Sequence, residues 1–184
     1  MPNRQDMREG DELYFEEEGK PRGRGFDESL IEKPLSHLPK RTPLLFRGED
    51  SATDAMRAMQ EQKRGCALIT QDGTASGKLL GIFTEQDVLF RIVDRGRNPT
   101  SLPLTEVMTR DPEAVPADAS IAWVLNKMAV GGFRHVPVID ENGCPSGVVS
   151  VRDVVQFLVE FFPSEVLNLP PDYSAGHFKN REGA

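Results

Sequence analysis

The sequence contains one strand-to-helix junction twice. It reads Gly81-Ile82-Phe83-Thr84-Glu85-Gln86-Asp87 in the first half and Gly147-Val148-Val149-Ser150-Val151-Arg152-Asp153 in the second. Each copy has a glycine, two apolar residues, a hydroxyl residue, two variable residues and a carboxylate, and apolar residues follow at helical intervals. Such a chain is expected to fold as two copies of one unit, each with a strand that ends where a helix begins.

The similarity between the two halves extends well beyond this junction. An offset of 69 residues aligns Pro34-Leu35 with Pro103-Leu104, and Ser51 with Ser120. At the junctions the offset is 66, so the first copy carries three extra residues, which we place in the loop at 71–78. Units of about sixty residues bury little surface alone, and the two are therefore expected to pack into one module of about 130 residues.

Each unit is predicted to have the element order βαββα. We expect a strand at 44–46, a helix at 52–63, strands at 66–70 and 79–83 and a helix at 85–94, then a helix at 121–131, strands at 133–139 and 147–150 and a helix at 151–162. The predicted domains are a charged arm with a lead-in at 1–33, the first repeat at 34–99, the second at 100–163 and a tail at 164–184. A linker rich in glycine, proline and polar residues covers 95–103.

The composition argues against several functional classes. The formal net charge is −7 and the isoelectric point about 5.1, whereas a nucleic-acid-binding protein needs a basic stripe. The sequence has neither the long apolar run of a membrane-spanning helix nor a signal peptide. Cys66 falls in a predicted buried strand and Cys144 in a predicted loop, which favours free thiols and a cytoplasmic location.

The repeated junction has the chemistry of a nucleotide site. Its hydroxyl lies at the predicted N-cap and its carboxylate one turn into the helix, with unpaired backbone N–H groups between them. Such a helix end attracts phosphate, and the carboxylate can accept two hydrogen bonds from a ribose diol. The same Ser/Thr-x-x-Asp pattern can also be a capping box that only closes a helix. Two copies at the same place in a repeat, each preceded by a glycine that permits close backbone approach, favour the binding site.

These features, together with the segment Phe133-Arg134-His135-Val136-Pro137-Val138-Ile139-Asp140, resemble the cystathionine-beta-synthase (CBS) domain family. The resemblance covers about residues 35–162. It implies an α+β fold in which two βαββα repeats pack around a pseudo-two-fold axis and leave two clefts for adenosine-containing ligands. Two-repeat modules of this family, of the Bateman type, are regulatory and commonly pair into homodimers.

The resemblance also implies roles for individual residues. Asp87 and Asp153 would bind ribose. The residues on the phosphate side would be Thr84, Ser150, Arg134 and His135. The apolar residues of the base pockets would be Leu45, Ala67 and Ile82 at the first site and Val115, Val136, Pro137 and Val148 at the second. Gly65-Cys66 replaces Arg134-His135 at the first site, and Gln86 replaces Arg152. The second site is therefore expected to bind more tightly, or the first to accept a less charged ligand.

The leading functional hypothesis is a non-catalytic sensor of adenosine-containing ligands that regulates a partner protein, which the sequence does not identify. AMP is the first candidate ligand, and ADP, ATP, NAD and S-adenosyl compounds are alternatives. The second hypothesis is a dimerisation scaffold with empty clefts. An enzyme would need a catalytic group, and His135, Ser150 and Asp153 lack the arrangement of a hydrolase triad. No zinc-ligand spacing is present among the histidines and cysteines.

Apolar residues after each junction cover more than one helix face. They are Val88, Leu89, Phe90, Ile92 and Val93 in the first copy, and Val154, Val155, Phe157, Leu158, Val159, Phe161 and Phe162 in the second. A helix apolar over so wide an arc is expected to be buried on more than its core side. We therefore predict a homodimer closed by two-fold symmetry, and assign Trp123 to its interface.

Overall fold

The computed structural model describes residues 29–39 and 41–161. The predicted arm and tail, and residue 162 of the last predicted helix, lie outside these residues. The helices are α1 (Ser29–Glu32), α2 (Ala52–Glu61), α3 (Glu85–Asp87), α4 (Ile121–Gly131) and α5 (Val151–Phe161). The strands are β1 (Leu45–Arg47), β2 (Cys66–Thr70), β3 (Leu79–Thr84), β4 (Thr109–Arg110), β5 (Val115–Pro116), β6 (His135–Ile139) and β7 (Pro145–Ser150). The compact unit that begins at Ile31 contains both repeats, and the predicted α+β fold is confirmed.

Each repeat contributes one sheet. In the first, β1 is parallel to β2, β2 is antiparallel to β3, and β4 pairs with the outer edge of β3. In the second, β5 is parallel to β6 and β6 is antiparallel to β7. The β2–β3 and β6–β7 pairs have the same register and the same bulge, beginning with Cys66 opposite Thr84 and His135 opposite Ser150. The connecting loops at 71–78 and 140–144 differ by three residues, as predicted from the change in offset.

The first strand is shorter in the second repeat, and a proline explains the difference. In the first repeat the Leu68 N–H donates to the Leu44 carbonyl at 2.8 Å. The equivalent of Leu68 is Pro137, which has no N–H to donate. Pairing between β5 and β6 therefore starts at Val115 opposite Val138.

The segments at the start of the two repeats, 33–35 and 102–104, each form hydrogen bonds with the other repeat. Leu35 N–H donates to the Ala119 carbonyl at 2.9 Å, and Ile121 N–H donates to the Lys33 carbonyl at 2.9 Å. The counterpart bonds, shifted by 69 residues, run from Leu104 N–H to Asp50 (3.0 Å) and from Ala52 N–H to Leu102 (2.8 Å). Because the hydrogen bonds are reciprocal at this offset, the repeats are related by a pseudo-two-fold axis. Each repeat forms the same backbone hydrogen bonds with the other.

The predicted linker at 95–103 is partly structured. It contains a 3-10 turn, Pro99–Ser101, and its Leu102 is buried in the core of the first repeat. Leu104, Val107 and Met108 are buried in the same core, although they lie at the start of the second repeat in sequence. The sequence did not predict this packing, because residues 95–101 are polar and the single leucine that follows them, Leu102, is weak evidence for a buried segment.

The helix predicted at 85–94 is not a regular α-helix. Three residues form α3, and Val88–Val93 continues as a π-helix in which the Asp94 N–H donates to the Leu89 carbonyl, five residues earlier. The equivalent segment of the second repeat is the regular helix α5. Among the described residues, no helix has both the length and the apolar content needed to cross a membrane. The cytoplasmic location stays a prediction.

Candidate functional site

Both junctions fold into reciprocal capping boxes. Asp87 Oδ2 accepts hydrogen bonds from Thr84 N–H (2.8 Å) and Thr84 Oγ1 (2.7 Å), and Asp87 N–H donates to Thr84 Oγ1 (3.3 Å). The same three bonds join Asp153 to Ser150, at 2.9, 2.6 and 3.3 Å. Capping uses only Oδ2 of each carboxylate, so Oδ1 can take a second role.

The two Oδ1 atoms have different partners. Asp87 Oδ1 accepts a hydrogen bond from Thr109 Oγ1 at 3.3 Å and lies 3.1 Å from Arg91 Nε. Asp153 Oδ1 lies 2.7 Å from Arg41 Nε, an ion pair without hydrogen-bond alignment, and accepts no hydrogen bond from any described residue. Since Asp153 is only 1% exposed, this oxygen is a buried acceptor that a ligand could use.

Each junction opens into a cleft built from both repeats. Cleft 1, about 620 Å³, contains the first junction and residues 111–113, which precede β5 of the second repeat. Cleft 2, about 940 Å³, contains the second junction and residues 41–44, which precede β1 of the first repeat. Residues 111–113 and 42–44 are equivalent at the offset of 69, so the clefts obey the pseudo-two-fold symmetry. Both volumes suit a small organic ligand.

The clefts differ sharply in charge. The charged side chains of cleft 2 are Arg41, Lys63, Arg64, Arg134, Arg152, Glu85 and Asp153. Those of cleft 1 are Arg91, Arg134, Glu85, Asp87, Asp111 and Glu113. Cleft 2 is therefore cationic in a chain whose net charge is −7, whereas cleft 1 is acidic. An anion is attracted to cleft 2 and repelled by cleft 1.

His135 lines both clefts, and its surroundings lower its pKa and so favour the neutral imidazole. Burial lowers the pKa of its imidazole; Arg134 also lowers this pKa, while Glu85 and Asp153 raise it. The ring packs on Gly65, where a Cβ would lie 2.7 Å from His135 Cε1. Burial also raises the pKa of the Cys66 thiol to about 12, which makes Cys66 an apolar part of the wall of cleft 2.

Ten of the fifteen residues predicted at the site line a cleft. Thr84, Asp87 and Ile82 line cleft 1; Cys66, Val148, Ser150, Arg152 and Asp153 line cleft 2; and Arg134 and His135 line both. The sequence assigned Cys66 to the first site and Arg134 and His135 to the second. The structure places Cys66 in cleft 2 and the other two in both clefts.

Leu45, Ala67, Val115, Val136 and Pro137 line neither cleft. Ala67 and Val136 are fully buried on the strand faces opposite Cys66 and His135, because side chains alternate along a strand. Leu45 packs against Leu68 and Ile82, and Val115 is fully buried.

Sequence reasoning missed the segments that precede the first strand of each repeat. Arg41, Asp111 and Glu113 line the clefts, as do Lys63 and Arg64 at the end of α2. One signal was available, because Pro43 and Pro112 recur at the offset of 69 and both line a cleft.

The second junction does not form a hydrolase triad. In a triad a histidine lies between the nucleophile and the carboxylate. Here the Ser150 hydroxyl donates directly to Asp153 Oδ2. The hydroxyl proton is thus held by the cap, and this arrangement does not activate Ser150 as a nucleophile.

Comparisons with known proteins identify the family. The CBS domain model matches residues 35–94 and 104–160. CBS domain-containing protein CBSCBSPB2 of Arabidopsis thaliana is 35% identical over 129 residues, which cover 70% of this chain and 23% of that protein. This chain spans about a fifth of the length of the first such Arabidopsis relatives.

Solved structures share the fold. An uncharacterised conserved protein from Pyrococcus horikoshii superimposes with a TM-score of 0.62 and 25% identity, over 70% of this chain and 93% of its own. A CBS domain protein from Pyrobaculum aerophilum, complexed with AMP, gives a TM-score of 0.61 and 23% identity, over 71% of this chain and 98% of its own. With both repeats matched, the chain belongs to the CBS domain family, and its two repeats form a CBS-pair regulatory module.

Proposed function

We propose that this protein is a non-catalytic sensor that binds an adenosine-containing nucleotide in cleft 2. The observation that carries the proposal is Asp153, which lines a cationic cleft and whose buried Oδ1 has Arg41 as an ion-pair partner but accepts no hydrogen bond from any described residue. A ribose diol supplies two hydroxyl donors for such an acceptor, and phosphate supplies the negative charge that the cleft attracts. AMP is the reference ligand, since a protein of the same fold is complexed with it.

Cleft 2 offers a physical route from binding to regulation. Its walls come from both repeats, with Arg41 and Cys66 from the first and Ser150 and Asp153 from the second. A ligand that contacts both walls favours the arrangement in which they are closest. The regulated protein would recognise this arrangement of the two repeats.

The proposal predicts a ligand-dependent rise in melting temperature. A ligand at a hundredfold excess over its Kd stabilises the folded state by about 2.7 kcal/mol, which corresponds to a shift of about 5–10 °C for a chain of this size. Differential scanning fluorimetry with AMP, ADP, ATP, NAD and S-adenosylmethionine measures it. If none of them shifts the melting temperature, the proposal fails and the scaffold hypothesis takes its place.

A pair of arginine variants locates the bound phosphate. Arg152 is exposed and lines cleft 2, so Arg152→Gln is expected to weaken nucleotide binding about tenfold, the effect of one lost charge-assisted hydrogen bond. Arg57 is exposed on α2 and lines neither cleft, so Arg57→Gln removes the same charge and serves as the control. Equal nucleotide affinities of Arg152→Gln and Arg57→Gln would show that the bound phosphate does not contact Arg152.

We also propose that the module pairs into a homodimer through the helices that follow the junctions. Leu89 and Val155 are equivalent at the offset of 66, and they are 53% and 49% exposed. Phe90 and Val93 add to the exposed apolar surface of the first copy. Exposed apolar groups at equivalent positions on both repeats suit an interface closed by two-fold symmetry.

Light scattering is expected to give about twice the chain mass of 20.4 kDa at micromolar concentration. Leu89→Glu buries a charge in the proposed interface and is expected to shift the protein towards the monomer. Leu80→Glu makes the same change at a 39% exposed leucine of β3, outside these helices, and is expected to leave the dimer intact. A wild-type protein that stays monomeric at high concentration would refute the homodimer.

A further inference from the structure

Lys63 has a backbone conformation that lysine rarely adopts. It follows α2 with φ at 51°, in the left-handed region, and the next residue, Arg64, donates its N–H to the Met59 carbonyl at 2.8 Å, the 6→1 bond of a Schellman turn. The equivalent position after α4 is Gly132, with φ at 68°. Glycine adopts this conformation without strain, whereas a side chain with a Cβ does not. The first repeat therefore has a lysine where the second has the residue that the turn favours.

Strained residues of this kind lie at the clefts. Among the described residues, the non-glycine residues with positive φ are Lys63 and Asp111. Lys63 lines cleft 2 and Asp111 lines cleft 1. Backbone strain of this type concentrates at ligand sites, where the side chain has a role that outweighs its cost.

The charge around Lys63 indicates what that role is. Lys63, Arg64, Arg134 and Arg152 all line cleft 2, and none of them forms an ion pair with a carboxylate in the described part of the chain. Glu85 is the acidic residue of the cleft besides Asp153. A single phosphate group carries a charge of about −1.5 to −2 at neutral pH, less than four cations can neutralise. The cationic end of cleft 2 therefore matches a chain of two or three phosphates better than one.

We propose that Lys63 is a specificity-determining residue, which binds the outer phosphates of a nucleoside di- or triphosphate in cleft 2 and so favours it over a monophosphate. The inference rests on the proposed function and adds a preference within it. Asp153 is buried and Lys63 is exposed, so a nucleotide anchored by its ribose at Asp153 extends its phosphates outward to Lys63. AMP bound at the same ribose anchor has no outer phosphates for Lys63 to bind.

Three substitutions at Lys63 separate charge from backbone strain. Lys63→Gly removes both, Lys63→Asn removes the charge but tolerates a left-handed backbone, and Lys63→Arg keeps the charge. Calorimetric titrations with ATP and AMP, at constant ionic strength without divalent cations, measure affinity. We expect wild type to bind ATP more tightly than AMP. The Lys63→Gly and Lys63→Asn variants are expected to bind ATP about tenfold to a hundredfold more weakly than wild type, and their affinity for AMP is expected to change by less than about threefold. The Lys63→Arg variant is expected to keep the preference for ATP over AMP.

Thermal unfolding of the unliganded variants tests the strain itself. Lys63→Gly is expected to raise the melting temperature by about 2–4 °C while it weakens ATP binding. A melting temperature no higher than that of wild type would overturn the strain argument. ATP affinity unchanged in Lys63→Gly, or AMP and ATP weakened equally, would overturn the role of Lys63 and leave the proposed function standing. A wild-type protein that binds neither nucleotide would refute the proposed function itself.

Discussion

Asp153→Asn is expected to weaken nucleotide binding by about a hundredfold or more. If the asparagine keeps its oxygen on the Ser150 cap, its NH2 group lies beside Arg41, and NH2 cannot accept a hydrogen bond from a ribose hydroxyl. Two hydrogen bonds to a charged acceptor contribute about 3 kcal/mol at the low end of their range. That free energy corresponds to the predicted change in Kd, which titration calorimetry measures.

Asp87→Asn is the matched control for this variant. Asp87 forms the same capping box with Thr84, so the two substitutions should cost similar stability, about 1 kcal/mol for a weakened cap. Asp87 lies in the acidic cleft, and its Oδ1 already accepts a hydrogen bond from Thr109, a partner that Asp153 Oδ1 lacks. We therefore expect Asp87→Asn to bind nucleotide as wild type does. Equal losses of affinity in both variants would show that the carboxylates matter only as caps.

Gly81→Ala is expected to destabilise the protein by about 2–3 kcal/mol, and Gly147→Ala is expected to have little effect. A Cβ at Gly81 would lie 2.5 Å from Met108 Sδ and 2.9 Å from the Thr109 carbonyl oxygen of the neighbouring β4. At Gly147 the nearest described atom is the Arg41 carbonyl oxygen, 4.0 Å away. Denaturant unfolding monitored by circular dichroism compares the two variants. Similar losses of stability would contradict the strand packing around β3 described above.

These two glycines show what a repeated motif can and cannot predict. Their common position in the junction predicted a close backbone approach at both. The approach occurs at Gly81, where it comes from β4 of the same sheet, and the space at Gly147 is open. A repeated motif predicts the conformation of the local backbone. It does not predict which distant part of the chain packs against that backbone.

Local features of the fold were predictable from the sequence. Five of the seven strands in the described part of the chain (β1, β2, β3, β6 and β7), the first helix of each repeat and both capping boxes depend on short-range periodicity and on residues three positions apart, whereas the two-residue strands β4 and β5 were not located. The π-helix at Val88–Val93 was not predicted, because its apolar residues are equally compatible with an α-helix.

The composition of the clefts was harder to predict. Asp153 and Arg41 are 112 positions apart, and their ion pair forms between the two repeats. Part of the error was avoidable, since Cys66 and Ala67 are adjacent in one strand and cannot both face the same cleft. Arg134 was assigned to one site, whereas it lines both clefts, because the clefts meet just before β6.

The central claim is that cleft 2 holds an adenosine-containing nucleotide, and equilibrium dialysis of the unliganded 184-residue chain tests it most directly. Wild-type protein is dialysed against AMP, ADP, ATP, NAD and S-adenosylmethionine in parallel with Asp153→Asn. We predict saturable binding of at least one of these compounds to wild type and a loss of that binding in the variant. No retained compound in any chamber, or equal retention by wild type and Asp153→Asn, would contradict the account.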